Sequence, residues 1–225
     1  MTPPARPVAL AGASDDVLLA AGGGWQLLSG AEAARARTLR RDVDRRDFVA
    51  AHALARVCAG RVLARAPRTL TVEQRCAHCG GSHGRPRLTE APELRISLSH
   101  TRGHVAAVAG TGRVGIDVER YRAIDAGMIA LATSPAEVAR VEAAPDVSLA
   151  FLRLWVCKEA LIKAGAGDLD SMPAIDLAEA CPAEDAPGTW RAVWEGWHLL
   201  QWTDPAAEVL GAAVGAAPPL LAASE

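Results

Sequence analysis

The stretch that decides the fold is Leu94–Arg120, LRISLSHTRGHVAAVAGTGRVGIDVER. Its first residues alternate apolar and polar side chains, which predicts a strand with one buried face. Residues 105–109 are typical of the return strand of a hairpin, and a third alternation follows at 114–118. Because these three strands follow one another with short connections, the segment predicts part of a sheet.

Helical patterns lie on both sides of this segment. Residues 44–64 carry apolar side chains at helical spacing, which predicts a long helix. A second helix is expected from about Pro135 to Ala143, after Ser134 as N-cap, and a third at 148–164, ended by Gly165. Further strands are predicted as one short edge strand within 1–24 and a β-meander over 190–194, 198–202 and 208–214. This order predicts an α+β fold with two similar lobes.

Composition limits the classes to which this chain can belong. Its 225 residues are 50% hydrophobic and 22% charged, which favours a folded core and excludes a disordered chain. We find no uninterrupted apolar run of membrane-spanning length and no signal-peptide pattern, so we expect a cytoplasmic protein without a membrane segment. The five cysteines, at 58, 76, 79, 157 and 181, are expected to be reduced thiols.

Charge is divided unevenly along the chain. Residues 1–115 contain 17 Arg, no Lys and 9 acidic residues, whereas residues 116–225 contain 5 Arg, 2 Lys and 17 acidic residues. This split favours an anionic ligand in the first half and a metal or cationic partner in the second, although surface charge can also drift without function. The two lysines, Lys158 and Lys163, suggest a role that arginine cannot fill, such as releasing a proton.

The pentapeptide GIDVE at 115–119 places two carboxylates together. In a strand, Asp117 and Glu119 project from the same face, and two adjacent carboxylates repel each other unless a cation lies between them. A hard, oxygen-liganded ion such as Mg²⁺ fits this arrangement. The alternative is an amphipathic surface strand with two solvated acids.

The helix segment LWVCKEALIK at 154–163 has a second set of polar groups. Trp155, Glu159 and Lys163 share one helical face at intervals of four residues. The alternative interpretation is an ordinary Glu–Lys pair on the surface beside a tryptophan of the core.

Two further motifs carry candidate ligands. Cys76, Cys79 and His83 provide three of the four ligands of a zinc knuckle, which leaves the site under-supplied. The Gly-Arg-Pro turn that follows presents Arg85 to a phosphate. His100, at the end of Ser-Leu-Ser-His, is either a phosphate contact or a structural histidine.

The order of these motifs resembles that of the Sfp-type 4'-phosphopantetheinyl transferases. The resemblance covers roughly residues 35–215 and rests on HGRP, SLSH, GIDVE and WVCKEALIK in this order. It implies two similar α/β lobes related by pseudo-twofold symmetry, with the active site at their junction. The lobes would be residues 1–114, which bind the phosphates of coenzyme A, and residues 115–225, which carry the magnesium and catalytic residues.

The resemblance also implies a reaction and a set of site residues. Such enzymes transfer the 4'-phosphopantetheine of coenzyme A to a serine of an acyl or peptidyl carrier protein, with Mg²⁺, and release 3',5'-ADP. Asp117, Glu119 and Glu159 would bind the metal, with Glu159 also the base and Lys163 the group that balances the leaving phosphate. Contacts to coenzyme A would come from Arg46, Arg85, Ser99, His100, Asp117, Lys158 and Lys163. We expect Asp117 and Glu159 to face solvent in the cleft.

Some features depart from the family pattern or leave alternatives open. Of the family's Phe-Ser-x-x-Glu segment only Ser134 and Glu137 match, and Arg35, Arg41 and Arg46 are all candidates for one phosphate contact. We expect a monomer that serves carriers of polyketide, nonribosomal-peptide or fatty-acid synthesis. The alternative function is a Mg²⁺-dependent phosphohydrolase acting on coenzyme A or nucleotides. A nucleic-acid-binding zinc knuckle is disfavoured by the net charge of −2 and by the few Phe and Tyr side chains available for stacking.

Overall fold

Two β-sheets and six α-helices make up the part of the chain that the computed structural model describes, residues 6–75, 80–81, 84–180 and 182–222. The α+β class is therefore confirmed. The predicted zinc ligands Cys76, Cys79 and His83 lie outside the described residues. None of the helices in the described ranges combines the length and apolar character that crossing a bilayer requires.

The elements have the following bounds. The helices are α1 Ser14–Ala20, α2 Gly30–Thr38, α3 Asp42–Leu63, α4 Ala126–Ala132, α5 Pro135–Glu142 and α6 Val147–Ala164. The strands are β1 Val8–Ala13, β2 Val72–Gln74, β3 Pro86–Leu88, β4 Leu94–Thr101, β5 His104–Thr111, β6 Val114–Arg120, β7 Ala183–Ala186, β8 Thr189–Trp194, β9 Trp197–Asp204, β10 Val209–Gly215 and β11 Leu220–Ala222.

The first sheet has the strand order β11-β1-β5-β4-β3-β2 and is covered by α3. The apolar face of α3 is made of small residues, among them Ala51, Ala55 and Cys58, and it packs on alanines of β5 such as Ala107. Small side chains on both surfaces let the helix lie close to the sheet, which gives a dense core with few large residues.

The second sheet has the order β6-β10-β9-β8-β7, and α6 packs against β6 and β10. Asp146 caps α6, because its Oδ1 accepts a hydrogen bond from the Leu149 backbone N–H at 2.9 Å. Gly165 ends the helix with a left-handed φ of 98°, as the sequence predicted. The predicted meander is also present as β8, β9 and β10.

The end of the described chain departs from the predicted arrangement. β1 was expected at an edge, but it lies between β5 and β11, and β11 pairs with it in parallel, Val8 opposite Leu220. The segment Leu220–Ala222 therefore joins the first sheet although it follows the strands of the second. Residues 115–225 consequently do not all pack in one half of the molecule.

A buried polar cluster ties α2 to α3. The Glu32 carboxylate lies 2.6 Å from both His52 Nδ1 and Arg56 Nη2. Burial alone would raise the pKa of Glu32, but the hydrogen bonds and charges of His52 and Arg56 lower it to about 2. Because the folded state holds this carboxyl ionised, its contribution to stability is present above pH 4.5 and is lost as the pH falls toward 2.

Glu32→Gln is expected to reduce the free energy of unfolding at neutral pH by up to about 3 kcal/mol, the value of the shift by linkage. The deficit relative to the natural chain should shrink as the pH falls, because protonation of Glu32 removes from the natural chain the charge that the variant already lacks. Urea unfolding at neutral pH and at about pH 3 measures this difference, with the exposed Glu93→Gln as control. A deficit that does not change with pH would contradict the assignment.

Two cysteines pack as apolar side chains. Cys58 and Cys157 are free and buried, and burial raises the pKa of each thiol to about 12. They are therefore neutral thiols with little reactivity at physiological pH.

Candidate active site

The two sheets meet where β4 runs alongside β6 in the same direction. Hydroxyl groups of β4 join them: Ser97 Oγ accepts from the Ile116 backbone N–H and Thr101 Oγ1 accepts from that of Arg120, each at 3.3 Å. Between these two contacts, Ser99 Oγ donates to Asp117 Oδ1 at 2.8 Å. The alternating hydroxyls of β4 thus fix which residue of β6 faces which residue of the first sheet.

Gly115 allows α6 to lie directly on β6. A Cβ at this position would stand 1.9 Å from the Ala160 carbonyl oxygen and 2.8 Å from the Ala164 backbone nitrogen. Only a residue without a side chain permits this approach. The close packing brings Glu159 and Lys163 of α6 next to the carboxylate of Asp117.

Asp117 is the most enclosed of these groups. Its side chain is 5% exposed, and its Oδ1 accepts from Lys163 Nζ at 2.6 Å as well as from Ser99. Its Oδ2 is buried with no hydrogen-bond partner in the part of the chain that is described. The expectation that Asp117 faces solvent is therefore wrong, because β4 and α6 cover it from two sides.

Glu119 and Glu159 are half-buried near Asp117. Burial and the charge of Asp117 raise the pKa of Glu119, while Arg122 partly offsets them. Burial raises the pKa of Glu159 as well, Lys163 lowers it, and Asp117 raises it. Each carboxylate thus feels the negative charge of Asp117, and a cation between them would relieve this repulsion.

These residues fit a hard divalent cation, although they do not form a finished site. Among the described residues, no three His, Cys, Asp or Glu side chains converge closely enough to hold a metal ion without rearrangement. The unpartnered Asp117 Oδ2 and the two carboxylates with raised pKa values are oxygen donors of the type that Mg²⁺ prefers. The assignment of Asp117, Glu119 and Glu159 to a metal stays a prediction.

Lys163 lies between the carboxylates and a cleft lined with arginine. The cleft has a volume of about 490 Å³, and its basic residues are Arg85, Arg87, Arg95, Arg113 and Lys163, with no acidic residue among those that line it. Arg87 and Arg95 are direct cross-strand neighbours. Like charges in this position repel, so the pair favours an anion between or beside them.

Arg85 reaches the end of α6, as its place in the Gly-Arg-Pro turn allows. Its Nη2 donates to the Ile162 carbonyl oxygen at 3.4 Å, and its guanidinium lies beside Gly165. Cations are favoured at this end of a helix. The guanidinium therefore stands on the rim of the cleft, close to Lys163.

The other predicted coenzyme contacts lie apart from this cleft. His100 is exposed at the far end of β4, and Arg46 pairs with Asp15 at 3.2 Å. The structure thus brings Arg85, Ser99, Asp117 and Lys163 together. Arg46, in α3, and His100, which directly follows Ser99 in β4, are not among the residues that line the cleft.

Lys158 does not contact any of these groups. It is fully buried, and its Nζ donates to Glu137 Oε2 at 2.5 Å and to the Ala132 and Met172 carbonyl oxygens. Glu137, also fully buried, accepts from the backbone N–H groups of Ser134 and Leu177. The predicted contact of Lys158 with coenzyme A is therefore not supported, because all three ammonium donors are used in joining α6 to α4, to α5 and to the turn at Met172.

Lys158→Met is expected to destabilise the fold by about 3–5 kcal/mol, because it leaves the buried Glu137 carboxylate without its cation. Arg87→Met is the matched control, since this exposed arginine makes no ion pair within the described residues and its loss should change stability by less than about 0.5 kcal/mol. Urea unfolding of both variants measures the contrast. Equal stabilities would show that the Lys158–Glu137 pair is not structural.

Sequence reasoning missed Arg87, Arg95 and Arg113 as cleft residues. Arg85 and Arg87 are two positions apart, which places them on one face of an extended segment. That signal was present in the sequence, but the opposition of Arg87 and Arg95 depends on strand register.

Comparison with known proteins finds a similarity in the second half of the chain. A family model of the 4'-phosphopantetheinyl transferase superfamily matches residues 113–209. The match begins just before β6 and ends at the start of β10, so it contains Asp117, Glu119, Glu159 and Lys163. The match spans less than half of the chain, and it shows that the second half is similar to a 4'-phosphopantetheinyl transferase domain. No curated protein matches the chain.

Proposed function

We propose that this protein transfers the 4'-phosphopantetheine group of coenzyme A to a serine of an acyl or peptidyl carrier protein. The observation that carries the proposal is the position of the Asp117–Lys163 pair at the end of an arginine-lined cleft. The cleft suits the phosphates of coenzyme A, and the pair lies between the cleft and the carboxylates of Glu119 and Glu159.

The cleft arginines would bind and orient the nucleotide phosphates. Guanidinium groups form charge-assisted, often bidentate hydrogen bonds with phosphate oxygens. Arg85, Arg87, Arg95 and Arg113 offer four such groups around one volume. Asp117, Glu119 and Glu159 would hold Mg²⁺, which, when bound, neutralises the diphosphate charge and acts as a Lewis acid.

Glu159 and Lys163 would manage the protons of the reaction. The carrier serine Oγ attacks the phosphorus next to the pantetheine, and a new P–O bond forms as the bond to 3',5'-ADP breaks. Glu159 would accept the serine proton, a task for which its raised pKa makes it a better base. Lys163 would balance the charge of the departing phosphate or donate a proton to it. Arginine can balance the charge but is too weak an acid to donate the proton.

Several finer assignments belong to the same proposal. We propose an Sfp-type enzyme in which residues 1–114 and 115–225 form two lobes related by pseudo-twofold symmetry, apart from β11. We further propose a cytoplasmic monomer, since one chain contains both the cleft and the carboxylates. Carriers of polyketide, nonribosomal-peptide or fatty-acid synthesis are the expected acceptors.

The test is intact-mass spectrometry of an apo-carrier domain incubated with the protein, coenzyme A and Mg²⁺. A gain of one phosphopantetheine that disappears with a chelator is the expected result. If coenzyme A is consumed across several carriers without any gain in their mass, the alternative Mg²⁺-dependent phosphohydrolase replaces the proposal. A gain that persists with the chelator would remove the metal assignment alone.

A further inference from the structure

A second cavity, of about 550 Å³, lies between α5, α6 and the faces of β8 and β9. The helix α6 packs on β6 and β10 and makes only slight contact with β9. Residues of α5 and of the segment around Leu177 and Ala178 form the other walls of the cavity. Side chains of the described residues do not fill the space left above β8.

This cavity is distinct from the candidate active site. Arg153 and Cys157 line it, whereas Glu159 and Lys163 contribute to the active site from the same helix. At about 100° per residue, the mean directions of these two sets of positions differ by about 120° around α6. A ligand in this cavity would therefore not occupy the coenzyme cleft.

The walls of the cavity are mainly apolar. Aliphatic side chains line it on every side, from α5 and α6 to β9: Val141, Leu149, Leu154, Leu177 and Leu199. Burial keeps the Cys157 thiol neutral, and the Gln201 amide is already engaged by the Arg153 carbonyl oxygen at 2.8 Å. These walls therefore suit an apolar chain rather than a polar ligand.

Two arginines give the cavity a positive character. The Arg153 guanidinium lies 4.2 Å from the centroid of the Trp190 ring, and its Nε is buried with no hydrogen-bond partner among the described residues. Arg140 donates to the Ala178 carbonyl oxygen. Neither arginine pairs with a carboxylate in the described ranges.

The other charged groups of the cavity are already satisfied. Arg191 pairs with Asp185 at 2.6 Å, and Lys158 neutralises Glu137. The Asp146 carboxylate accepts from the Leu149 backbone N–H and from the Tyr121 hydroxyl. The cavity therefore has two guanidinium groups without a carboxylate partner, Arg140 and Arg153, and one carboxylate that is already hydrogen-bonded, Asp146. This balance leaves one positive charge that a further anion can neutralise.

We infer that this cavity binds an amphipathic carboxylate, with its hydrocarbon chain on the apolar walls and its head group on Arg153 and Arg140. The volume lies within the usual range of small-molecule sites, about 300–1,000 Å³. A carboxylate also satisfies the buried Arg153 donor through the fork geometry that guanidinium and carboxylate share.

The test is calorimetric titration of the full chain with three ligands that share one alkyl chain: dodecanoate, dodecanol and dodecyltrimethylammonium. Dodecanoate and the ammonium ligand are kept below their micellar concentrations, and dodecanol below its solubility limit. Dodecanoate is expected to bind once per chain, dodecanol at least about tenfold more weakly, and the cation not at all. Equal affinity for all three, or no binding of dodecanoate, would overturn the inference.

Three variants locate the site. Arg153→Gln should weaken dodecanoate binding about tenfold, and Ala150→Trp, which fills the cavity from α6, should abolish it. Leu131→Ser, at a leucine 77% exposed outside the cavity, should leave binding unchanged. If Ala150→Trp does not fold, Arg153→Gln decides alone, and unchanged affinity in it contradicts the assignment. Because no arm measures transfer, failure here is independent of the proposed function.

Discussion

Gly115→Ala is expected to lower the free energy of unfolding by about 3 kcal/mol or more and to reduce transfer by at least about 100-fold. The added methyl group would stand 1.9 Å from the Ala160 carbonyl oxygen and 2.8 Å from the Ala164 nitrogen. Both are backbone atoms of α6, so no single side chain can turn away to make space. The whole helix must move away from β6.

That movement would act on the site as well as on the core. Lys163 Nζ and Asp117 Oδ1 are 2.6 Å apart across the α6–β6 contact, and a shift of about 1 Å ends this hydrogen bond. Glu159 moves with the same helix. The expected loss of activity is therefore larger than the fraction of unfolded chain explains.

The matched control is Gly30→Ala, at the first residue of α2. A Cβ there meets no atom within 4 Å, so this variant should be as stable as the natural chain or slightly more so. Urea unfolding and the carrier-mass assay measure both variants at a temperature where each is folded. A stable and active Gly115→Ala chain would show that α6 does not depend on this close approach.

Much of the fold followed from periodicity in the sequence. Alternation of apolar and polar side chains at Leu94–Leu98 and at Val114–Val118 identified β4 and β6. In β6 both faces are buried over residues 114–118, so there the alternation separates apolar from polar side chains but not core from solvent. Gly165 correctly marked the end of α6. The spacing of Glu159 and Lys163 also placed them on one face of that helix.

The parts that were not predicted depend on contacts between distant residues. β1 resembles an edge strand until Leu220–Ala222 pairs with it, and a three-residue strand carries almost no local signal. α4 is a short run of mostly small residues, AGMIALA, which has too few turns to show a helical period.

The two lysines show the same limit within the site. Their retention in an arginine-rich chain suggested a special role for both. Helical spacing put Lys163 on the face of Glu159 and Lys158 on another face, but local sequence does not show which face of the helix meets the core. Lys158 points into the core toward Glu137, while Lys163 points toward Asp117. The difference arises from which elements lie on each side of α6, which only the tertiary structure fixes.

Asp117→Asn is expected to reduce kcat for transfer by at least about 1,000-fold, since the charge stabilisation assigned to this position is worth several kcal/mol. The asparagine side chain has nearly the same shape, so the packing between β4 and α6 is retained. What is lost is the negative charge that binds Lys163 and the acceptor character of Oδ2, the buried atom with no partner among the described residues.

Ser99→Ala separates the charge of Asp117 from its orientation. Ser99 Oγ donates to Asp117 Oδ1 and accepts from Lys163 Nζ at 3.2 Å, so its loss frees the carboxylate to turn while its charge stays. We expect a smaller effect, of about 10–100-fold on kcat, the size seen for groups that orient a ligand. Asp170→Asn, at an exposed aspartate, should be fully active.

Steady-state kinetics and calorimetric binding of coenzyme A distinguish these roles. If Asp117 acts on the reacting diphosphate, its loss lowers kcat, while the cleft arginines still bind the nucleotide and the dissociation constant changes little. If Asp117 only holds Lys163 in the fold, the variant would instead lose stability and keep its kcat where it is folded. The second outcome would leave the arginine-lined cleft as a nucleotide site but remove Asp117 from the reaction.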